Sequence, residues 1–397
     1  MIRWSSSSKI RSPKASDNWC FWRLAASLAG SNLVGVMRRD YTGFPYNWQR
    51  QPSAAKRNRR PMKRSRPAWG FPPPNNRRTR RRPARFLPGW PEKEQDDMSE
   101  LELDIPAVRR AGIKWKALLE RETFLQLPAA HDALTARLIE RAGFPAYQVG
   151  GFALVGARYG RPDVDLEHFG EKNRAVQDVI DGCALPVLVD ADDGYGDVKN
   201  MTRTIRGYEA LGAAAIFFED QAAPKRCGHM AGKKVVPVEQ MVAKVRAAVA
   251  ARQDGDTFLI ARTDAIQPEG LDSALRRGEA YLKAGADGIY VEGPRNEQEI
   301  ERVAQAFRGV PLATSVLENG GVTPWLAPDD FRALGYTMIL YPTTVLFSAA
   351  RAIERTLANL RGGRPLDGAT SLDMEAFENL VDLPAWAEIE ARFQPEE

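Results

Sequence analysis

The sequence predicts an α/β fold, a closed (β/α)8 (TIM) barrel with helices added at its carboxyl-terminal end. Three observations support this prediction: eight short apolar or β-forming runs, helical patterns between them, and polar residues where the runs end. Alternating strands and helices are typical of a parallel sheet, and eight such units close a barrel. A doubly wound open sheet shares the alternation and is the competing architecture.

The predicted strands are short and recur at the spacing of a barrel. Most of them are rich in Val, Ile, Leu or Phe, as strands buried on both faces are. We predict strands at residues 123–127, 146–149, 186–189, 215–218, 258–261, 288–291, 311–314 and 338–341.

Amphipathic patterns between the strands predict the helices. Several of them end at a glycine, which is the residue that a left-handed helix cap favours. We predict helices at residues 132–142, 201–211, 237–252, 271–284 and 297–307.

Polar residues at the strand ends distinguish the two architectures. Seven of them lie at or just past the carboxyl end of a predicted strand, which is the end where barrel active sites are built. They are Asp190, Asp192, Glu219, Arg262, Asp264, Glu292 and Glu318. The pattern therefore favours the barrel.

An open sheet would be expected to carry a glycine-rich phosphate-binding turn. Gly150 and Gly151 follow a predicted strand, but the third spaced glycine of that fingerprint is missing. We expect instead that the backbone amides of Gly150 and Gly151 approach a substrate carboxylate or a developing oxyanion.

The charge is distributed unevenly along the chain. Residues 1–97 hold 22 Lys or Arg against 6 Asp or Glu, a net charge of +16, whereas residues 98–397 carry −11. We expect residues 1–97 to be a disordered basic segment. The residues from Met98 onward resemble an ordinary protein start, so we interpret the preceding segment as a gene-model artefact. Nucleic-acid binding by the arginine runs and a transit peptide are the alternatives. Residues 98–397 then form the barrel domain, with carboxyl-terminal helices from about residue 362.

Cysteine content and hydropathy indicate the compartment. The three cysteines, Cys20, Cys183 and Cys227, form no closely spaced framework, which is typical of a reducing environment. The apolar stretch at residues 24–33 is too short and too interrupted for a membrane span. We therefore expect a cytoplasmic protein with no membrane partner.

Three carboxylates predict a metal site. Asp190 and Asp192 are two residues apart, so on a strand their side chains point the same way, and Glu219 ends the next run. Without a cation, three carboxylates on adjacent strand ends would repel one another. Mg²⁺ is the expected ion, with Mn²⁺ as a substitute, because hard cations take oxygen ligands.

Five motifs together resemble the isocitrate lyase and phosphoenolpyruvate mutase superfamily. They are Asp190-Ala191-Asp192 with Gly194-Tyr195-Gly196, Glu219-Asp220-Gln221, Lys225-Arg226-Cys227-Gly228-His229, Ala261-Arg262-Thr263-Asp264-Ala265, and Asp163 in Gly160-Arg161-Pro162-Asp163. The resemblance covers roughly residues 112–362. It implies a barrel with bound magnesium, an α-oxyanion carboxylate intermediate, and a dimer of dimers in which the last helix is swapped between partners.

The loop that contains Cys227 is similar to the carbon–carbon lyase branch of the family. The resemblance implies that Cys227 protonates the carbanion left after cleavage, and we expect Lys225, Arg226 and His229 to lower the pKa of its thiol. A cysteine that packs only as a small buried residue is the alternative. Gly228 and Gly232 suggest that the loop closes over bound substrate.

The remaining site residues are assigned on the same resemblance. Arg262 is expected to bind a substrate carboxylate, with a salt bridge to Asp264 or Glu292 as the alternative. His229 is expected to act in catalysis by orienting the loop or a carboxylate. Gly150, Gly151, Gly228, Arg262, Glu292 and Ser315 are the expected substrate-binding residues, and Asp163, Lys225 and Arg226 the supporting ones.

Two departures from the family pattern affect the predicted substrate. The chain has Gln148-Val149-Gly150-Gly151-Phe152 where related lyases have a tyrosine and a serine, and Ser315 near the position of a common asparagine. We therefore predict a Mg²⁺-dependent lyase for a 2-hydroxy di- or tricarboxylate, either 2-methylisocitrate or an alkylmalate such as 2,3-dimethylmalate. The products are an α-keto acid and a second carboxylate. Hydrolysis or decarboxylation of oxaloacetate, and carboxyvinyl-carboxyphosphonate phosphorylmutase chemistry, are the alternatives.

Overall fold

A computed structural model describes residues 114–365 and 367–394, and within them the predicted barrel is confirmed. Eight parallel strands pair in the order β1-β8-β7-β6-β5-β4-β3-β2, and a single bridge between Ala129 and Gln148 joins the two ends. The strands are β1 Leu125–Pro128, β2 Tyr147–Val149, β3 Val187–Asp190, β4 Ala215–Glu219, β5 Phe258–Thr263, β6 Gly288–Val291, β7 Leu312–Ser315 and β8 Met338–Tyr341. The predictions for residues 1–97 and for Met98 lie outside the described residues.

Every predicted strand is present, and several continue further than their apolar runs. Asp190 pairs with Phe217 across β3 and β4, and Glu219 pairs with Arg262 across β4 and β5. The backbone ladder does not depend on side-chain polarity, so it includes these charged residues. Their side chains are therefore held on rigid strands at the rim of the barrel.

Helices surround the sheet. The five predicted helices are present with their ends shifted by at most three residues, and α1, α3, α4, α7, α10 and α11 were not predicted. The helices are α1 Trp115–Glu122, α2 Ala133–Arg141, α3 Gly151–Tyr159, α4 Phe169–Ile180, α5 Val198–Leu211, α6 Val238–Ala251, α7 Ile266–Glu269, α8 Leu271–Lys283, α9 Glu297–Ala306, α10 Pro328–Leu334, α11 Thr344–Arg361, α12 Met374–Leu380 and α13 Leu383–Phe393.

The amino-terminal end of the barrel is filled by apolar side chains. Alternate strand residues such as Leu125, Leu188, Phe217 and Ile260 form one buried cluster, and Trp115 of α1 packs into it with no exposed surface. A second, larger cluster lies between the sheet and the helices around it. Within the described residues, the first cluster fills the barrel beneath its carboxyl end.

The predicted carboxyl-terminal helices are present as α12 and α13. The preceding helix, α11, has no buried residue along its 18 residues and exposes Phe347, Ile353, Leu357 and Leu360. Trp386 and Phe393 of α13 are also about half exposed. Among the described residues, no helix has the length and apolar character needed to cross a bilayer.

Candidate active site

A cavity opens at the carboxyl end of the barrel, with a volume of about 490 Å³ including its mouth. Residues from most strand ends and from the loop after β4 form its wall. Thirteen of the fourteen predicted site residues line it: Gly150, Gly151, Asp163, Asp190, Glu219, Lys225, Arg226, Cys227, Gly228, His229, Arg262, Glu292 and Ser315. The remaining one, Asp192, lies behind this wall.

Asp190 lies at the end of β3 with both carboxylate oxygens hydrogen-bonded to the backbone. Its Oδ2 accepts from the amide of Gly151 at 2.9 Å, and its Oδ1 accepts from the amide of Asp192 at 2.9 Å. Burial and the neighbouring Asp192 raise the pKa of Asp190. The expectation that the Gly151 amide meets a substrate oxyanion is corrected, because this N–H is already donated to Asp190 as α3 begins.

Asp192 reaches its position by a different route from the one predicted. Strand β3 ends at Asp190, and Asp192 has a left-handed backbone with φ of 46°, so strand alternation does not orient its side chain. Its carboxylate is buried between the ammonium groups of Lys172 and Lys225. Burial alone would raise the pKa of Asp192, but the two lysines lower it below its usual range. Asp192 therefore contributes a fixed negative charge behind the cavity wall.

Glu219 ends β4 and is the carboxylate with a free oxygen. Its Oε2 lies 3.2 Å from Nε of Arg262, whereas Oε1 is buried without a hydrogen-bond partner. Burial raises the pKa of Glu219 well above its ordinary value. An unpartnered buried carboxylate oxygen is costly, and a bound cation would relieve that cost.

The described residues contain no group of three His, Cys, Asp or Glu side chains that could hold a metal by themselves. Mg²⁺ does not require one, because it is usually held by one or two carboxylates and keeps several waters. Asp190 and Glu219 both line the cavity and provide such oxygens. These two carboxylates therefore fit a magnesium ion, with Asp192 behind them.

Arg262 lies at the centre of a buried charge network. Its Nε and Nη2 donate to Oδ2 and Oδ1 of Asp264 at 2.9 and 3.0 Å, so the paired contact seen here goes to a protein carboxylate. Its Nη1 lies 3.9 Å from Oε2 of Glu292, and its guanidinium lies over the ring of Tyr290. The salt bridge that was the alternative prediction is thus present. Nη1 is the part of the guanidinium that Asp264 does not engage.

The loop after β4 is attached to the barrel at several points. Nζ of Lys225 donates to Oδ1 of Asp163 at 2.7 Å, and the amide of Cys227 donates to the carbonyl of Asp163 at 3.2 Å. The side-chain amide of Gln221 holds the backbone of Arg226 through both of its polar atoms. Asp163 therefore holds this loop through both its side chain and its backbone.

The thiol of Cys227 lines the cavity and is half-buried. Burial raises its pKa to about 12, and the carboxylates of Asp163 and Glu292 act in the same direction. The expected net lowering of the pKa is wrong, because burial outweighs the hydrogen bond from the backbone of His229, which does lower it. Lys225 is neutralised by two carboxylates, and Arg226 is exposed. The thiol is therefore protonated at neutral pH and has a proton to give.

His229 connects the loop to the opposite wall of the cavity. Its Nδ1 accepts from the amide of Val322 at 3.2 Å, so the proton of the neutral ring is on Nε2. Nε2 lies 3.0 Å from Oγ of Ser315 and 3.2 Å from Oε1 of Glu292, and Ser315 donates to Oε2 of Glu292 at 3.1 Å. Burial lowers the pKa of His229, although Glu292 opposes the change. A neutral imidazole therefore orients Glu292 at the cavity wall.

Sequence reasoning missed two buried lysines and the apolar wall. Lys172 of α4 contacts Asp192, and Lys233 contacts Asp264, yet no motif singles out either residue. Gln148 faces the cavity but its amide donates to the carbonyl of Leu127 at 3.0 Å. The apolar part of the wall is formed by Phe152, Phe217, Leu317, Leu340 and Pro342.

Comparison with known proteins identifies the family. The family model described as phosphoenolpyruvate phosphomutase matches residues 115–361, and the chain therefore belongs to the phosphoenolpyruvate mutase/isocitrate lyase superfamily. A 2,3-dimethylmalate lyase of Eubacterium barkeri is 38% identical over 282 residues, which cover 70% of this chain and 97% of the relative. A 2-methylisocitrate lyase of Bacillus subtilis (strain 168) is 37% identical over 279 residues, covering 70% and 90%. The chain is thus an enzyme, and the predicted class of carbon–carbon lyase is confirmed.

Solved structures agree with this family. An oxaloacetate acetylhydrolase in complex with 3,3-difluorooxalacetate superposes with a TM-score of 0.66 at 31% identity, covering 70% of this chain and 95% of that one. A phosphonopyruvate hydrolase in complex with oxalate and Mg²⁺ superposes with a TM-score of 0.63 at 29% identity, covering 70% and 97%. The fold is thus shared by enzymes with different carboxylic acid substrates.

Proposed function

We propose that the chain is a Mg²⁺-dependent lyase that cleaves a 2-hydroxy dicarboxylate or tricarboxylate into an α-keto acid and a second carboxylate. An alkylmalate such as 2,3-dimethylmalate and 2-methylisocitrate are the proposed substrates. The observation that carries the proposal is the protonated thiol of Cys227 in the wall of a cavity that also contains Asp190, Glu219 and Arg262. A cleavage that leaves a carbanion requires a proton donor at such a position.

The reaction follows from the bonds that change. The substrate's 2-hydroxyl loses its proton to solvent and becomes the carbonyl of the α-keto acid, while the electrons of the C2–C3 bond move to the carbon beside the departing carboxylate. Cys227 then donates its proton to that carbon and is left as a thiolate, which solvent reprotonates. Because the pKa of Cys227 is raised to about 12, the donor is in the correct protonation state before each turnover.

Several residues would hold the substrate while the bond breaks. Nη1 of Arg262 is available for a substrate carboxylate, and Nε2 of His229 and Oγ of Ser315 hold Glu292 in one orientation. Asp190 and Glu219 would hold Mg²⁺, and Asp192 would add negative charge behind them. When bound, the ion supplies Lewis-acid stabilisation of the oxyanion that develops on the 2-oxygen.

The wall of the cavity supports an alkyl-substituted acid. Phe152, Leu317, Leu340 and Pro342 form its apolar part. Lys225 is already paired with Asp163 and Asp192, and Asp264 engages Nε and Nη2 of Arg262, so that Nη1 alone is left for a substrate carboxylate. A methyl group fits this surface better than a third carboxylate does, which favours an alkylmalate over 2-methylisocitrate.

Oxaloacetate hydrolysis is the second candidate. The structural similarity to an oxaloacetate acetylhydrolase over 95% of that chain favours it. Its substrate has a carbonyl rather than a hydroxyl at C2, so water has to attack before the carbon–carbon bond breaks. The two candidates therefore differ in substrate and products, and one assay distinguishes them.

The test is Mg²⁺-dependent product release from 2,3-dimethylmalate, 2-methylisocitrate, isocitrate and oxaloacetate. Wild type is compared with Cys227→Ser and with Cys183→Ser, a matched control because Cys183 packs in the apolar core. Release of an α-keto acid from a hydroxy acid, lost only in Cys227→Ser, supports the lyase. Turnover of oxaloacetate alone, unaffected by Cys227→Ser, would overturn it in favour of the second candidate.

We also propose that the enzyme is a cytoplasmic homo-oligomer, a dimer of dimers. The exposed apolar residues of α11 and α13 support an interface between copies, because exposed apolar surface of this kind is typical of such contacts.

Residues 98–397 are the proposed catalytic domain. A chain that begins at Met98 and keeps activity and oligomeric state would support this domain boundary, and loss of either would contradict it.

A further inference from the structure

The loop that carries Cys227 ends in two adjacent lysines with opposite environments. Lys233 is 6% exposed, whereas the side chain of Lys234 lies in solvent. A lysine is rarely buried unless its ammonium group is paired. The burial of Lys233 therefore indicates a specific set of contacts, and Lys234 provides a natural comparison on the same loop.

Lys233 joins two parts of the active site. Its Nζ donates to the carbonyl of Gly228 at 2.5 Å and to Oδ1 of Asp264 at 2.9 Å. Gly228 lies between Cys227 and His229 on the loop, and Asp264 directly follows β5. One ammonium group therefore bridges the catalytic loop and the barrel rim.

The barrel side of this bridge is firmly held. The amide of Asp264 donates to Oδ1 of Asp220 at 2.9 Å, and Oδ2 of Asp220 accepts from Tyr281 at 2.7 Å and from Thr263 at 2.8 Å. All of these groups are buried. Asp264 is also the carboxylate that receives both hydrogen bonds from Arg262. The bridge thus attaches the loop to a rigid part of the site.

We propose that Lys233 is a positioning residue that fastens the Cys227 loop in its closed position through the carbonyl of Gly228. Lys233 does not line the cavity, so it acts on the reaction through the loop and not by touching the substrate. Its effect on catalysis rests on the proposed role of Cys227, whereas its effect on the loop does not.

A structural role alone would have a different signature. Arg262 shares its charge among Glu219, Asp264 and Glu292, so Lys233 also contributes to charge balance at Asp264. A lysine that only neutralised Asp264 would not fix the position of the loop. Loss of such a lysine would lower the stability of the whole fold and expose all buried thiols together. Loss of a lysine that holds the loop in position would expose Cys227 alone.

The experiment measures the alkylation rates of Cys227 and Cys183 by iodoacetamide, resolved by peptide mass spectrometry, in the full chain. Lys233→Met is compared with wild type and with Lys234→Met. We expect Lys233→Met to react at least about tenfold faster at Cys227, the change that loss of a hydrogen bond from a charged donor implies for a local opening equilibrium. Cys183 should be unchanged, and Lys234→Met should match wild type. An unchanged Cys227 rate, or equal acceleration at Cys183, would overturn the proposal.

Two further measurements complete the test. If Lys233→Met does not fold, Lys233→Gln is the second variant, because its side-chain amide can still donate a hydrogen bond. We expect its Cys227 to be alkylated faster than in wild type but more slowly than a fully exposed thiol. A wild-type alkylation rate would count against the proposal. In the lyase assay Lys233→Met should lower kcat about tenfold with a smaller change in KM. If Cys227 is alkylated faster in Lys233→Met but wild type has no lyase activity, the positioning role of Lys233 is supported and the proposed function is rejected. If turnover depends on Cys227 but the alkylation rate is the same in Lys233→Met and wild type, the proposed function is supported and the positioning role is rejected.

Discussion

The imidazole of His229 lies 3.2 Å from the carboxylate of Glu292, although 63 residues separate them in the sequence. The ring also accepts a hydrogen bond from the amide of Val322, so it bridges the catalytic loop, the end of β6 and the loop after β7. Because this geometry needs an unprotonated Nδ1, the contact depends on pH. Four of the five predictions that follow concern this site and the loop above it.

His229 gives a pH-dependent prediction. Its pKa is lowered from 6.5 in the folded enzyme by burial, so the neutral ring contributes stability that is present above about pH 6.5 and is lost as the pH falls through the folded pKa. We expect kcat/KM of wild type to fall on the acidic side as Nδ1 is protonated. His229→Gln, which can accept from Val322 and donate to Glu292 without titrating, should retain more activity than His229→Ala and lose this acidic limb. An identical acidic limb in His229→Gln would assign the titration to another group.

Cys227 gives a prediction on rate. Replacement by serine removes the proton donor, because a hydroxyl is a much weaker acid than a thiol. General acid catalysis contributes about 10²- to 10⁴-fold, and we expect a loss of that size in kcat with little change in substrate affinity. Steady-state kinetics and isothermal titration of substrate measure the two effects separately. Equal loss of affinity and rate would mean that Cys227 serves in binding.

Gly228 has no room for a side chain. A Cβ at this position would overlap the guanidinium of Arg262 and would lie 2.7 Å from Oε1 of Glu292. We expect Gly228→Ala to displace the loop at a cost of about 1–3 kcal/mol and to lower kcat/KM strongly. Gly255→Ala is the control, since nothing lies within 4 Å of a Cβ built there. Thermal unfolding and kinetics of both variants test the expectation, and wild-type kinetics in Gly228→Ala would contradict it.

Magnesium should stabilise the folded enzyme through Asp190 and Glu219. A ligand at about 100 times its Kd adds about 2.7 kcal/mol to the free energy of unfolding, so the melting temperature should rise with Mg²⁺ and fall when a chelator removes it. Asp190→Asn and Glu219→Gln should reduce this shift. Asp254→Asn, on the surface at the far end of the barrel, should not. A full Mg²⁺ shift in both carboxylate variants would place the ion elsewhere.

The apolar surface of α11 gives a prediction about assembly. Leu357 is 60% exposed and Ile353 is 58% exposed, so a partner copy is expected to cover them. A charge on this face would be buried in such an interface, and Leu357→Glu should therefore lower the molecular mass measured by sedimentation at micromolar concentration. Val198→Glu introduces the same charge at another exposed apolar site and should leave the mass unchanged. An unchanged mass for Leu357→Glu would show that this face is not the interface.

The parts of the fold that leave a repeating hydrophobic pattern could be predicted from the sequence. Buried parallel strands require apolar runs, and helices over them require an amphipathic pattern, so all eight strands and five helices were predicted. Six helices were not predicted, among them α3 and α4. Gly151 and Gly156 lower the helix propensity of α3, and α4 contains a buried lysine where the pattern predicts a solvent-facing residue.

The site residues that belong to sequence motifs could be predicted. The residues that form ion pairs with partners distant in the sequence could not. At least one residue of each of the five motifs lines the same cavity, because the barrel strands end on one face. Lys172 and Asp192 are 20 residues apart, and only the fold brings them together. Lys233 and Lys234 are chemically identical neighbours, so nothing in the sequence distinguishes the buried one from the exposed one. The raised pKa of Cys227 was missed because its largest cause is burial, which only the fold decides, and because Lys225 is neutralised by Asp163 and Asp192 from distant segments.

The two sides of the cavity come from different segments of the chain. Asp190, Glu219 and Arg262 extend from β3, β4 and β5, whereas Leu317, Leu340 and Pro342 come from β8 and from the segments that follow β7 and β8. We therefore expect mutations near β7 and β8 to alter the accepted acid with less effect on Asp190, Glu219 and Arg262. Evolution can in this way produce new substrate preferences from one inherited reaction, and an engineer who wishes to redirect this enzyme should begin with residues 317–343.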